Sequence, residues 1–308
     1  MISYFSGVDP VNGIVSVPIN GSGSMTAADI WTTLKVLDWT KEYLASRGVE
    51  NARLEAEWLL CAATGLDRVG LYLNFERPLN DEELAAYRLM VARRGRREPL
   101  QHILGTQEFC GLEFEVTPEV LIPRHDTESL VNEALSRMPA ARSVLDIGTG
   151  SGCIAVALAC KLPGASVTAV DISEAALAVS RRNAEKNGVV IEFLQGSLFE
   201  PVVGRRFDLM VSNPPYIPSQ DIESLQPEVR DFDPRGALDG GKDGLEVYRA
   251  LIPAAAVLLN PGGWLLVEVG IGQATDVAQM FRATKVYSEP VISCGQGGIE
   301  RVVGACKP

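Results

Sequence analysis

The sequence predicts an α/β protein: a largely parallel, helix-covered sheet preceded by a small helical domain, with a β-hairpin between them. From Ser143 onward, short apolar runs alternate with helical patterns, and the candidate strands are residues 144–147, 166–170, 191–194, 207–212 and 264–269. Strands alternating with helices make a parallel sheet covered on both faces. Before Pro99 the apolar residues recur at helical spacing, as in Leu34, Leu37 and Trp39, then Leu54, Trp58 and Leu59, then Leu84, Tyr87 and Val91. Between Leu100 and Arg124 the period becomes alternation: Leu112, Phe114 and Val116 are separated by Glu113 and Glu115, just after the turn signal of Gly111.

At 308 residues the chain exceeds the usual domain of about 100–200 residues. The periodicities divide it into a helical domain (25–100), a hairpin linker (101–124) and an α/β domain (125–308). Residues 1–24 end in Gly21-Ser22-Gly23-Ser24 before Met25 and lack the layout of a signal peptide, so they read as an expression leader. In the helical domain, Asn80-Asp81-Glu82-Glu83 supplies a helix start with acidic groups at the positive end of the dipole. No cluster there suggests chemistry, which leaves a structural or recognition role. The last stretch, with segments near Val286 and at 301–303 and no long helix between them, reads as an antiparallel end of the sheet.

Composition excludes several function classes. With 46% apolar and 22% charged residues the chain is of ordinary globular type, and no segment approaches the roughly 20 apolar residues of a membrane span. A formal charge of −11 argues against direct DNA binding, because affinity for phosphate backbones comes from Lys and Arg displacing counterions. Arg93, Arg94, Arg96 and Arg97 form one basic cluster, either a solvated helix end or a contact for an acidic partner or RNA. The six cysteines are irregularly spaced without a C-x-x-C pair and there are only two histidines, which argues against a metal site or a disulfide framework. Cys153 and Cys160 read as packing residues, and a reduced, cytoplasmic setting follows. Monomer is the default state.

The stretch Val144-Leu145-Asp146-Ile147-Gly148-Thr149-Gly150-Ser151-Gly152 is a strand, a glycine-rich turn and the start of a helix. Ligands of open parallel sheets bind at the carboxyl ends of the strands, where glycine lets the backbone come close. Its G-x-G-x-G spacing differs from the dinucleotide pattern, since Cys153 stands where the third glycine of that pattern belongs. Asp171, at the end of the next strand, is placed to accept hydrogen bonds from both hydroxyls of a ribose; the alternative is the N-cap of the following helix, which Ser173 can also fill. Asp146 either faces the cofactor or stabilises the turn.

The strand Phe207-Asp208-Leu209-Met210-Val211-Ser212 runs into Asn213-Pro214-Pro215-Tyr216. Consecutive prolines restrict themselves and the residues before them, so this loop is a rigid pair of acceptors. An amide nitrogen is a poor nucleophile and gains positive charge as it attacks the methyl of a sulfonium. The Asn213 side-chain oxygen and the Pro214 carbonyl could each take one N–H and stabilise that charge, while Tyr216 lies against the planar group.

Asn-Pro-Pro-Tyr resembles the signature of methyltransferases acting on planar nitrogens, which include adenine-amine DNA methyltransferases and release factor glutamine methyltransferases (the PrmC/HemK family). Further stretches resemble only the latter: Leu121-Ile122-Pro123-Arg124-His125-Asp126-Thr127-Glu128, residues 144–159, Asp233-Pro234-Arg235-Gly236-Ala237-Leu238, Gly240-Gly241-Lys242-Asp243-Gly244-Leu245, and Glu268-Val269-Gly270 followed by Gln273. The Arg53-Leu54-Glu55-Ala56-Glu57 helix and Pro99-Leu100-Gln101-His102-Ile103-Leu104-Gly105 are similar to that family's helical domain and linker, so the resemblance extends from Met25 onward.

The resemblance implies a Rossmann-like class I methyltransferase sheet with an antiparallel last strand. It implies an enzyme that transfers a methyl group from S-adenosyl-L-methionine to the glutamine side-chain nitrogen of the Gly-Gly-Gln motif of peptide chain release factors. By the same resemblance Gly148, Thr149, Gly150, Ser151, Gly152, Asp171 and Leu198 hold the cofactor. Asn213 borders both cofactor and substrate, Asn213, Pro214, Pro215 and Tyr216 hold the glutamine, and the helical domain docks the release factor. Two stretches depart from the family's pattern: Ser197-Leu198 replaces an acidic residue followed by Trp at the adenine end, and His125 replaces a more usual proline beside Arg124. The rival readings are a nucleic-acid amine methyltransferase, which should bring a basic face or target-recognition insertion, and a noncatalytic scaffold, which has no need of the acceptor loop.

Overall fold

Apolar stripes at helical spacing become helices in the first of two compact units, which divide between Leu104 and Gly105 in this computed structural model. The structure describes residues 30–308, so the leader expected over 1–24 lies outside the described residues. The first unit contains α1 (Thr33–Ser46), α2 (Ala52–Thr64), α3 (Arg68–Leu73), α4 (Asp81–Gly95) and α5 (Leu100–Leu104). Val36, Leu37, Leu59, Leu60, Tyr87 and Val91 meet in its core. Asn80 and Glu83 form a reciprocal capping box at the start of α4, which satisfies two otherwise orphaned backbone donors. At the other end of α4, Arg93 pairs with Glu98 and the buried Arg94 with Glu55, so half of the basic cluster is tied to carboxylates of its own unit. Arg96 is exposed.

The hairpin, β1 (Thr106–Phe109) and β2 (Leu112–Glu115), falls within the second unit, and α5 occupies the start of the stretch expected to be linker. The physical reason is burial. Phe109 and Phe114, edge to face at 6.0 Å, join the same core cluster as Leu130, Val144 and Ile154. Cys110 and Gly111 both have positive φ, as a two-residue hairpin turn matching strand twist requires.

The main sheet comprises β3 (Ser143–Ile147), β4 (Ser166–Asp171), β5 (Glu192–Gln195), β6 (Phe207–Ser212), β7 (Leu259–Glu268), β8 (Val291–Cys294) and β9 (Glu300–Cys306), in the order β5-β4-β3-β6-β7-β9-β8. The first five are parallel; β9 is antiparallel to both β7 and β8. The segment near Val286 is not a strand: β8 begins only after Pro290, which cannot donate to a ladder.

Helices α6 (Glu128–Arg137), α7 (Cys153–Lys161) and α8 (Glu174–Lys186) precede two short ones, α9 (Pro227–Arg230) and α10 (Arg235–Leu238), and then α11 (Glu246–Leu258) and α12 (Ala274–Thr284). Strand residues alternate between two cores. Leu209, Val211 and Leu266 pack with residues of α6 and α7, whereas Met210, Leu265 and Val267 pack with α11 and α12. Burial on both faces explains why these strands read as continuous apolar runs. Cys153 is buried in the first of these cores, with Cys160 packed against it. Among the described residues no helix is long and apolar enough to cross a membrane.

Candidate active site

From β3 the chain builds outward through β4 to β5, then returns to place β6 on the other side of β3. The connections therefore diverge at the carboxyl ends of β3 and β6, the place where open α/β sheets bind ligands. A cavity of about 340 Å³ opens there, within the range of about 300–1,000 Å³ usual for small-molecule sites. The loops after four strands line it, through Gly148, Thr149, Gly150 and Ser151 after β3, Asp171 and Ile172 after β4, Leu198 after β5, and Asn213, Pro214 and Pro215 after β6, together with residues from the segment before α6 and from 234–237.

Two of the expected site residues stand back from the cavity. Gly152 has φ of 81°, and a Cβ there would sit 3.0 Å from that of Ser180, so this glycine permits close packing of the loop on α8. Tyr216 packs against the α11 and α12 core.

Gly148 and Gly150 are also left-handed, with φ of 70° and 54°, yet a Cβ added at either would meet no protein atom within 4 Å. The loop is thus an open cradle lined by backbone. Asp171 braces it: one carboxylate oxygen accepts from the Gly150 amide at 2.8 Å and the other from the Ser173 amide at 2.9 Å. Ser173 itself caps α8 by accepting from the Ala176 amide at 3.2 Å, so the cap belongs to Ser173. Asp146 lies fully buried and accepts from the Thr149 hydroxyl at 2.6 Å, which favours the turn-stabilising alternative. Burial pushes its carboxyl up to about 7, against the opposing hydrogen bond from Thr149.

The acceptor loop is held from three sides. Ser212 donates to the Ile147 carbonyl at 2.7 Å, joining the ends of β6 and β3. The Asn213 side-chain nitrogen donates to the Thr127 hydroxyl oxygen at 3.1 Å, leaving Oδ1 as its remaining acceptor. Gln273 clamps the far side, donating to the Tyr216 carbonyl and accepting from the Gly270 amide, both at 2.9 Å. The Tyr216 hydroxyl lies 3.4 Å from Glu268 at the end of β7, and burial together with that carboxylate pushes its pKa up to about 12. Glu268, 1% exposed, is itself raised to about 7 by burial, while Thr127, Arg301 and Tyr216 pull the other way. At the cavity wall Arg124 is paired with Asp233 at 2.6 Å.

Sequence reading assigned no role to Thr127, Ile172, Glu268 or Gln273. Thr127 meets Asn213 across 86 positions, and no local pattern announces such a pairing. Ile172 has a local signal, as the apolar residue directly after Asp171 at the strand end; it is 72% exposed and lines the cavity.

Residues 35–105 match the family model described as PrmC N-terminal domain, and residues 125–226 that described as methyltransferase small domain. The release factor glutamine methyltransferase of Geobacter sulfurreducens is 64% identical over 276 residues, covering 90% of this chain and 97% of that protein. The chain belongs to the release factor glutamine methyltransferase family. Members of this family from Moorella thermoacetica and Chlorobaculum tepidum are 45% and 42% identical, over 84% and 83% of the chain and 92% of each relative. Among solved structures, the hMettl16 catalytic domain in complex with a 3′UTR hairpin superposes with a TM-score of 0.52 at 18% identity, covering 70% of this chain and 81% of that one. At that identity the likeness concerns the fold alone. The sheet with its antiparallel last strands is the class I methyltransferase fold expected for a release factor glutamine methyltransferase, and the chain is a methyltransferase.

Proposed function

We propose that this enzyme methylates the side-chain amide nitrogen of the glutamine in the Gly-Gly-Gln motif of peptide chain release factors, with S-adenosyl-L-methionine as donor and S-adenosyl-L-homocysteine as product. One observation carries the reading. A rigid acceptor loop, with Asn213 Oδ1 left over after the bond to Thr127, shares a single cavity with an open glycine cradle and a carboxylate at the ribose position.

The cofactor, when bound, supplies an electrophilic methyl group on a sulfonium. Gly148 to Ser151 offer backbone close to it, Asp171 can turn its oxygens from the Gly150 and Ser173 amides toward ribose hydroxyls, and Ile172 and Leu198 offer apolar contact to adenine. Leu198 stands where the family carries Trp, so its contact is smaller. Asn213 Oδ1 and the Pro214 carbonyl accept the two N–H groups of the glutamine amide, which aims the nitrogen lone pair and stabilises the positive charge growing there. Tyr216, anchored by Gln273, lies against the amide plane from the substrate side, and Pro215 keeps the loop rigid. The helical unit is proposed to dock the release factor, in the cytoplasm, with the enzyme a monomer.

Methyl-labelled S-adenosyl-L-methionine tests this with a purified release factor and duplex DNA as parallel acceptors. Label is expected in the factor and not in the DNA; labelled DNA beside an unlabelled factor contradicts the proposal and favours a nucleic-acid substrate.

A further inference from the structure

For the reaction proposed above, Asn213 has to offer an oxygen and not an N–H to the incoming amide, and an asparagine side chain carries both on nearly the same shape. The partner at its other end decides which way it points. Thr127, buried where α6 begins and lining the same cavity, holds Asn213 Nδ2 at 3.1 Å from its Oγ1. A hydroxyl can accept from that nitrogen or, with its proton turned round, donate to the amide oxygen of a flipped asparagine. Only the first arrangement leaves Oδ1 for the substrate.

The group beside Thr127 discriminates between them. Glu268 is 1% exposed, its Oε2 has no hydrogen-bond partner within the protein, and Thr127 lies close enough to pull its carboxyl pKa down. In its ionised form this carboxyl accepts and cannot donate, so it then draws the Thr127 proton toward itself and leaves the hydroxyl lone pair to Asn213. Arg301, which faces the same carboxyl from β9, favours this charged form, while Asp126 and burial oppose it. We infer that Thr127, backed by Glu268, is a positioning residue that locks the Asn213 amide with its oxygen facing the acceptor nitrogen. The inference rests on the methyl-transfer reading, and it adds a residue whose contribution is the direction of a hydrogen bond.

The test uses the full chain and the variants Thr127→Val and Thr127→Ser. Valine keeps the shape and removes the lone pair; serine restores it. With a release factor as substrate, Thr127→Val should lower kcat by up to about 100-fold, the scale of misplacing a group at the reacting centre by about 1 Å, with KM for S-adenosyl-L-methionine within about twofold of wild type. Thr127→Ser should recover most of the loss. Wild-type kcat in Thr127→Val overturns the inference, as does an equal loss in both variants.

Hydrogen exchange of the Asn213 side-chain amide reads the lock without any substrate. It is followed by NMR on protein labelled at asparagine nitrogen, with the signal assigned by its disappearance in Asn213→Ala. Slow exchange of one amide proton in wild type and Thr127→Ser, lost in Thr127→Val, is expected; equal exchange in all three overturns the inference. If the wild-type enzyme leaves release factors unmodified, the proposed substrate fails, and the exchange result alone then decides on the lock.

Discussion

Two carboxyl groups sit under the site with their pKa values raised to about 7 by burial, Asp146 beneath the glycine loop and Glu268 behind the acceptor loop. Each lies beside a threonine that lines the cavity: Thr149 donates to Asp146 at 2.6 Å, and Thr127 lowers the pKa of Glu268 against burial. Raising a carboxyl in the folded state means that ionisation works against the fold. The contribution of Asp146 to stability is therefore fully present below its ordinary pKa of about 4 and is lost as pH rises through about 7. Asp146→Asn keeps an acceptor for Thr149 and removes the charge. We predict that its melting temperature falls less than that of wild type between pH 5 and pH 8, with a difference of at most about 3 kcal/mol. Parallel melting curves across that range would contradict this.

At the scale of elements, the loop between β3 and α7 separates two uses of glycine that the sequence presents as one motif. Gly152 faces Ser180 of α8 at packing distance, whereas Gly148 and Gly150 face open space in the cavity. All three have positive φ, where a side chain costs about 1–2 kcal/mol. Gly152→Ala should add a clash to that strain, and calorimetry should show the larger loss of melting temperature. Gly150→Ala should lose less stability but bind S-adenosyl-L-methionine at least about tenfold more weakly, a cost of about 1.4 kcal/mol or more, as titration calorimetry would measure. The reverse order, with affinity most sensitive at Gly152, would mean that the cradle is misassigned.

For the whole molecule, the proposed site recognises a cofactor and one planar side chain, so discrimination among proteins has to come from surface beyond it. A short Gly-Gly-Gln peptide should be methylated with a kcat/KM at least about a hundredfold below that of a folded release factor, which corresponds to about 3 kcal/mol of lost contacts. Equal efficiency would leave the helical unit without a part in recognition.

The same division between near and distant explains what was legible in the sequence. Gly148 to Gly152 and Asn213 to Tyr216 are contiguous, and each stretch ends a continuous apolar strand, so residue order alone points to a cleft at the strand ends. The partners that hold these loops come from elsewhere. Thr127, Glu268 and Gln273 reach the acceptor loop only through the return of β6 beside β3 and the pairing of β6 with β7. The hairpin shows the equivalent limit at the level of the fold. Alternation reveals strands, but not that Phe109 and Phe114 would complete the core under α6 and α7.

The most direct measurement is tandem mass spectrometry of the Gly-Gly-Gln peptide cut from a release factor after incubation with S-adenosyl-L-methionine and either the wild-type enzyme or Asn213→Ala. One added methyl group on the glutamine side-chain nitrogen with the wild type, reduced at least about a hundredfold with the variant, is the result predicted. An unmodified glutamine with the wild-type enzyme, or full methylation by Asn213→Ala, would contradict the account.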